Sequence, residues 1–460
     1  MNTHAFLSLL KTNKQNHIID HFNKLSSNKR SKLIENCNNL DLDLVFKLHK
    51  ECSATKGTVS LNEKIEPPRV ISLPRTQTEK KSQYESKLIG ESLISHEKVA
   101  ILIVAGGQGV RLGHNKPKGT FPISPIKEKT LFQLLSEQVK ALSMHYKAKI
   151  PLLIMTSFEN HTDTVAFFDS FNYFGLDKDY VHFFQQGMLP TITPAGKLLL
   201  KDETNLFVNP DGHGGSLIAL YKSDLLNMLT EQGFSELFYC QIDNPLVKMA
   251  DPVFLGYHSL AASECSTKVV RRQKIEEKVG VYVSLNRKDA ILEYSDFGGK
   301  HMESLDVKGD ILYWAGNTAI HILKLSFVKS LNEHGFALPY HCANKVVEII
   351  GSDGSKNSVD VWKFETFVFD AIPLAARTCC MEIDRSEEFS PVKNRFGPDS
   401  PSTARESMVT LHKKWLQDAG IIVPPERLVE ISPLFALDKD ELVDKLKGSI
   451  PSFEKDTYFG

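Results

Sequence analysis

The arrangement of apolar and polar residues changes near Lys98. Before it, apolar residues recur at helical spacing in Phe6, Leu9 and Leu10, in Ile18, Ile19 and Phe22, and in Leu40, Leu44, Phe46 and Leu48, set among Lys, Asn and Ser. That spacing predicts short amphipathic helices. Prolines 67, 68 and 74 break any helix there and predict an extended strap, followed by a short helix near residues 83–95. After Lys98 the apolar residues come as short unbroken runs. Residues 99–105 (VAILIVA), 150–155 (IPLLIM), 237–242 (LFYCQI) and 279–284 (VGVYVS) read as strands, the first buried on both faces, while 131–142 and 214–230 read as helices. Strands alternating with helices predict an α/β fold with a mixed, mostly parallel sheet, in which ligands sit at the carboxyl ends of the strands. Gly106 and Gly107 follow the first run, Thr156 and Ser157 the second, and Asp243 and Asn244 the third. From about Glu388 the chain is punctuated by prolines around one further helix at 402–417. The expected organisation is a helical N-terminal region (1–95), a catalytic domain (96–387) and a small C-terminal cap (388–460).

Composition narrows the field. The chain of 460 residues carries 55 Lys+Arg against 56 Asp+Glu, a formal net charge of -1, so no global field draws it to nucleic acid or an anionic membrane. Any anion must be held by a local site. The longest apolar run has seven residues, far short of the roughly 20 that span a bilayer. The N-terminus mixes charges into its apolar positions, which argues against a secretory signal. Seven scattered cysteines include no C-x-x-C pair, and a reducing, cytoplasmic setting accounts for them. Neutral charge and the absence of heptads make a monomer the expectation.

The segment after the first strand is AGGQGVRLGHNKPKGTFPI (105–123), with Gly106, Gly107, Gly109 and Gly113 beside Arg111, Lys116 and Lys118. Glycines admit positive φ and let backbone N–H groups approach an anion. The string is not G-x-G-x-x-G, because Leu112 stands at the third glycine, and no glycine precedes a Lys-Ser or Lys-Thr pair as a P-loop requires. What remains is a glycine-rich turn with three cations, suited to several phosphates at once.

The string G-G-x-G-x-R-L-G followed by P-K-G is the signature of sugar nucleotidyltransferases, and from here the chain resembles the eukaryotic-type UDP-sugar pyrophosphorylases. Family-like strings follow in order at 183–190 (FFQQGMLP), 209–215 (NPDGHGG), 239–244 (YCQIDN), 278–281 (KVGV), 292–295 (LEYS), 315–317 (AGN), 367–370 (FVFD) and 388–394 (EFSPVKN), so that the resemblance covers roughly residues 98–410. It implies a Rossmann-like, GT-A-like nucleotidyltransferase fold. The implied reaction takes UTP and N-acetylglucosamine 1-phosphate to UDP-N-acetylglucosamine and pyrophosphate by direct in-line attack on the α-phosphorus.

The resemblance also implies roles for residues. Gly106, Gly107, Gln186 and Gly212, with His213, would meet the nucleotide; Gly280, Glu293 and Asn317 the sugar; and Phe367 and Phe369, read as two residues on one face of a strand, would wall the pocket beside an N-acetyl group. Arg111, Lys118, Lys363 and Lys393 would hold phosphates. Asp243, directly after a buried strand, would meet Mg²⁺, which takes few protein ligands and keeps phosphate and water oxygens around it. His213 departs from the pattern: animal N-acetylglucosamine enzymes resemble PDGNGG here, and UDP-glucose pyrophosphorylases carry a GHG string. UTP:glucose-1-phosphate uridylyltransferase is therefore the alternative on the same scaffold. A catalytically silent nucleotide-sugar-binding regulator is an alternative of another class, opposed by the joint presence of Arg111, Lys118, Asp243 and Lys393.

Overall fold

The computed structural model describes residues 2–54, 64–293, 303–350, 356–447 and 451–460. Two compact units emerge, each assembled from three separate stretches. One comprises Met1–Asn62, Gln186–Ala219 and Ala337–Asp370, the other Glu63–Gln185, Leu220–Phe336 and Ala371–Gly460. The sequence reading had divided the chain into consecutive blocks.

The larger unit is built on a ten-stranded sheet. At its centre Val99–Val104, buried along its whole length, pairs in parallel with Glu236–Gln241 on one side and Leu152–Thr156 on the other, and Val181–Gln185 continues the parallel set. An unbroken apolar run is what a strand covered on both faces requires. Beyond Glu236–Gln241 the sheet turns antiparallel through Ala315–Lys324, which also pairs with Cys265–Arg271 and, at Gly316, meets Val281 of the hairpin Val281–Leu285/Lys288–Leu292. The helix expected at 131–142 runs from Leu131 to Tyr146, and that expected at 402–417 runs Pro401–Asp418. The one expected at 214–230 is two, Gly215–Lys222 and Leu225–Glu231, because Asp224 takes φ +64° between them.

Two helices of this unit touch backbone to backbone. A Cβ on Gly90 of Gln77–Ser95 would stand 1.8 Å from Pro252 O, and one on Gly256 of Pro252–Leu260 would stand 1.8 Å from Ser86 O. At the C-terminal end, Leu416, Val429, Ile431, Ala436 and Leu442 form a small core of their own beneath the strand pair Val429–Ile431/Thr457–Phe459.

The smaller unit holds four helices before the strap, Thr3–Thr12, Asn16–Lys24, Ser27–Asn38 and Leu42–Ala54, of which the apolar spacing marks all but Ser27–Asn38. Their apolar faces do not form a closed bundle. Phe6, Ile18, Phe22, Leu33 and Val45 share one core with Ile192, Leu198, Trp362 and Phe364. Fully buried Gln15 joins the stretches through polar bonds, its Nε2 donating to Gly196 O (2.6 Å) and its Oε1 accepting from Leu198 N (2.9 Å). The rest of the unit is the ribbon His341–Ile350/Lys356–Glu365 and the short pair Met188–Pro190/Val208–Pro210.

Candidate active site

In the larger unit the glycine segment folds back on itself at the carboxyl end of Val99–Val104. Gly109 N donates to Lys116 O (3.0 Å) and Lys118 N to Gly107 O (3.1 Å), so Arg111 stands on the exposed tip and Lys118 returns beside Gly107. The glycines differ in what requires them. A Cβ on Gly109 would meet His114 O at 2.8 Å and one on Gly119 the Phe132 ring at 2.2 Å, whereas nothing lies within 4 Å of a Cβ on exposed Gly107. The first two are glycine for packing; Gly107 leaves open room on its outer face, as close approach by a ligand demands.

The next strand ends supply the remaining groups. Asp243, two residues past Glu236–Gln241 and 8% exposed, places its Oδ2 3.4 Å from Lys118 Nζ. Its carbonyl accepts from Val392 N (2.8 Å), which sets Lys393 next to it. Asn244 fixes the same segment from its side chain: Nδ2 donates to Glu388 O (2.7 Å), and Oδ1 accepts from Ser390 N (3.1 Å). Below it, fully buried Lys268 lies 2.6 Å from Asp251 Oδ2 and 2.5 Å from Glu388 Oε2. Burial alone would raise the Asp251 carboxyl, but the ammonium groups of Lys268 and Lys248 outweigh it and hold the group below its ordinary range. Gly107, Lys118 and Asp243 are thus linked by backbone and side-chain bonds, with Gly106 next to Gly107, Lys393 following Val392 and Arg111 exposed on its turn.

A second constellation of this unit gathers the three residues assigned to the sugar. Asn317 N donates to Gly280 O (2.8 Å), and a Cβ on Gly280 would stand 3.2 Å from Glu293 Oε1. Asn317 Oδ1 is occupied by Ala319 N (2.9 Å), where the strand bulges and Ala319 takes φ +57°. Tyr294 and Ser295 of the LEYS string lie outside the described residues. A cavity of about 980 Å³, open to solvent, lies at the other end of the hairpin between Arg69, Arg287, Lys288 and Ile372, and no predicted site residue lines it.

The smaller unit carries the other group. Gly212, at φ +88°, could not accept a Cβ, which would stand 2.4 Å from Thr366 O. Thr366 clamps the turn, its N–H and hydroxyl donating to Asp211 O (2.7 and 3.1 Å) while its carbonyl accepts from Gly214 N (2.8 Å). Gln186 is buried next to Gly187, whose carbonyl accepts from Asp211 N (3.1 Å). His213 Nδ1 accepts from Val368 N (3.2 Å), which leaves the ring proton on Nε2, and burial with the nearby His341 lowers its pKa to about 4. The His213 ring lies 5.3 Å from Phe367 and 5.7 Å from Phe369, and these two stack at 5.1 Å. The expectation that they share one face of a strand is corrected here: the strand Lys356–Glu365 ends before them and a 3-10 turn covers Val368–Leu374, so the turn brings the rings together rather than strand alternation. Lys363 lies on that strand, on the same face as Glu365 and opposite to Trp362 and Phe364.

Some positioning residues have no strong signal in the sequence. Asn160 is fully buried, its Nδ2 donating to Ala105 O (2.8 Å) and Gly107 O (3.3 Å) and its Oδ1 accepting from Ser157 N (2.8 Å), so it ties the glycine segment to the next strand end. The only cue is its place just after the apolar run 150–155. His341, whose Nε2 is 2.8 Å from Asp370 Oδ2 and whose ring is 4.7 Å from Phe367, has none.

Asp243 fits a magnesium ion better than a structural transition metal. Among the described residues no group of three or more His, Cys, Asp or Glu side chains gathers to hold a metal. One carboxylate beside a lysine suits a hard ion that completes its shell from phosphate and water oxygens.

A glycine segment lined with cations, at the carboxyl edge of a wound sheet and beside one near-buried carboxylate, defines a site for polyphosphate chemistry of the nucleotidyltransferase class. The chain belongs to the family described as UTP--glucose-1-phosphate uridylyltransferase, whose profile it matches over residues 43–455, and it is a UDP-sugar pyrophosphorylase in that sense. The UDP-N-acetylglucosamine pyrophosphorylase of Saccharomyces cerevisiae is 35% identical over 424 residues, 88% of either chain. The Homo sapiens UDP-N-acetylhexosamine pyrophosphorylase-like protein 1 is 33% identical over 415 residues, 83% of this chain and 81% of that one. The crystal structure of the Trypanosoma brucei uridine diphosphate N-acetylglucosamine pyrophosphorylase with an inhibitor superposes with a TM-score of 0.85 at 25% identity, covering 96% of this chain and 94% of the other.

Proposed function

We propose that this chain joins UTP to N-acetylglucosamine 1-phosphate, giving UDP-N-acetylglucosamine and pyrophosphate. The observation that carries the reading is the meeting of Lys118, Asp243 and the Val392–Lys393 backbone at the glycine segment. Three chain segments far apart in sequence bring one lysine, one carboxylate and the backbone that carries Lys393 to an open glycine face. The names of the yeast and trypanosomal relatives supply the sugar.

A phosphate monoester is already an anionic nucleophile at neutral pH, so no general base is required. The barrier lies in bringing two polyanions together and in stabilising charge on departing pyrophosphate. Arg111 and Lys118 hold the triphosphate, Lys393 holds the acceptor phosphate, and Lys363 lends a further cation. Asp243 is the group that would hold Mg²⁺; when bound, the ion neutralises phosphate charge. With the nucleotide bound, Lys118 would turn from the carboxylate to a phosphate oxygen. Gly280, Glu293 and Asn317 receive the sugar, with Phe367 and Phe369 beside the N-acetyl group, and Gly106, Gly107, Gln186, Gly212 and His213 receive the uracil nucleotide. The reading includes a cytoplasmic monomer: all seven cysteines are free thiols, five of them buried, and among the described residues no helix is long and apolar enough to cross a membrane.

The glucose alternative is favoured by His213 and by the family's own description. Pyrophosphate release from UTP, Mg²⁺ and a panel of glucose, galactose and N-acetylhexosamine 1-phosphates separates the readings. Fastest release with N-acetylglucosamine 1-phosphate is expected, and preference for glucose 1-phosphate would overturn the choice. No release with any acceptor would leave the silent regulator.

A further inference from the structure

Gly113 closes the turn that carries Arg111, and it is glycine for two reasons. Its φ is +75°, the left-handed region, and an added Cβ would lie in tight contact with another side chain, which would have to give by a few tenths of an ångström. An ideal Cβ on Gly113 would stand 3.2 Å from Cζ, 3.3 Å from Nε and 3.4 Å from Nη1 of Arg395. A guanidinium from near the C-terminal end of the chain is therefore laid flat against the glycine segment, two residues from Arg111.

Arg395 is held there by structure that begins at Asp243. Val392 N is bonded to the Asp243 carbonyl, Lys393 N and Asn394 N both donate to Asp399 O (2.7 and 2.9 Å), and Asn394 Nδ2 donates to Pro398 O (2.9 Å). The 392–399 turn is thus a compact hook that presents Lys393 and Arg395 two residues apart, with the Arg395 guanidinium also 5.1 Å from the Phe396 ring centroid. Among the described residues, none of Arg111, Lys116, Lys393 and Arg395 has a carboxylate within 4.0 Å, although ion pairs are numerous elsewhere. Arg111, Lys116 and Arg395, exposed cations without a paired acid along one glycine segment, suit a ligand with several negative charges.

We propose that Arg395 is a further phosphate-binding residue that, with Arg111, clamps the β- and γ-phosphates of the nucleotide, the part that leaves as pyrophosphate. The proposal rests on the uridylyltransferase reading and deepens it. The planar guanidinium offers paired N–H donors that match phosphate oxygens two at a time, which a lysine cannot do. Its seat against Gly113, on the Arg111 side of the segment, assigns it to the nucleotide's distal phosphates, whereas Lys393 stays by the Asp243 backbone with the acceptor phosphate.

The test is run in the pyrophosphorolytic direction, with UDP-N-acetylglucosamine, Mg²⁺ and pyrophosphate. Arg395→Ala is expected to raise the KM for pyrophosphate about tenfold or more while the KM for the sugar nucleotide stays within about twofold, and Arg395→Lys to recover only part of the loss. Gly113→Ala, whose Cβ would shift the guanidinium by a few tenths of an ångström and must accept φ +75°, should produce a smaller rise in the same KM in a chain that keeps Arg395. Calorimetric titration with magnesium pyrophosphate reads the same site without turnover. Wild-type protein that binds pyrophosphate but makes no UTP would count against the uridylyltransferase reading. Equal pyrophosphate affinity in wild type and Arg395→Ala, or a parallel rise in both KM values, would overturn the role of Arg395.

Discussion

Lys118 Nζ stands 3.4 Å from Asp243 Oδ2, so the two groups proposed to meet the metal-bound triphosphate hold each other's charge before it arrives. With only 8% of Asp243 exposed, an uncompensated carboxylate would be costly there. The pairing has a kinetic consequence. Asp243→Asn should lower turnover by about 100-fold or more with the fold retained, and adding Lys118→Met to it should cost less than Lys118→Met costs alone, because the two act as a unit. Initial rates of pyrophosphate release, with circular dichroism as the folding control, decide this. A single variant within about threefold of wild type would remove that residue from the scheme.

Asn160 acts on the glycine segment from behind. Replacing it by alanine leaves the buried Ala105 carbonyl without its side-chain donor, a loss of about 1–3 kcal/mol. The expected outcome is a lower denaturant midpoint together with a raised KM for UTP, the KM for the sugar phosphate changing less. Equal rises in both would place Asn160 outside nucleotide binding.

Gly212 offers a sharper steric test. An alanine there must accept φ +88° and a Cβ 2.4 Å from Thr366 O, so the Asp211–Gly214 turn has to move. We expect Gly212→Ala to destabilise by about 1–3 kcal/mol or more and to abolish tight UTP binding by calorimetry. Full binding in a folded variant would show that the turn does not touch the nucleotide.

His213 stays neutral through the physiological range, since burial and His341 bring its pKa to about 4. No change in sugar preference attributable to His213 should appear between about pH 5.5 and 8. His213→Asn can still offer an oxygen to Val368 N–H, so it should unfold at higher denaturant than His213→Ala, which cannot. If the two variants were equally stable, that bond would carry no weight.

His412 gives the acid limb of stability. The ring is buried, its Nδ1 lies 3.3 Å from Ile431 N and 3.4 Å from Val429 O, and burial, outweighing the Val429 bond that favours the charged ring, lowers its pKa to about 4 from the ordinary 6.5. Between those values the unfolded chain binds a proton that the folded chain does not. Its contribution is therefore complete above about pH 6.5 and falls away as the pH drops towards 4, by at most about 3 kcal/mol. Denaturant midpoints at about pH 7 and pH 4.5 should drop less for His412→Asn than for wild type. Identical drops would count against a neutral buried ring.

Much of this molecule is written in local pattern. The run 99–105 reads as a strand covered on both faces, and Val99–Val104 lies at the centre of the sheet. The helical spacing of Phe6, Ile18 and Phe22 and the proline break at 67–68 are likewise properties of neighbouring residues. The glycine segment and Asp243 could be placed because both follow apolar runs, and in a parallel sheet the ends of such runs share one edge. The strand assumed under Phe367 and Phe369 failed because their 3-10 turn is set by Thr366 bonding to Asp211, over 150 residues earlier.

By itself, then, the order of residues determined which stretches become strands and helices, where phosphates could be cradled and which family the motifs resemble, since each depends on backbone preference and side-chain periodicity within a few turns of chain. Only the tertiary structure decided that the N-terminal helices share a core with Ile192 and Trp362, that Asn160 and Thr366 brace the two loops, and that the Arg395 guanidinium packs against Gly113. The physical reason is the same each time. A buried donor, a closed core or a filled gap is defined by what comes to lie against it in space, and separation along the chain does not encode that approach.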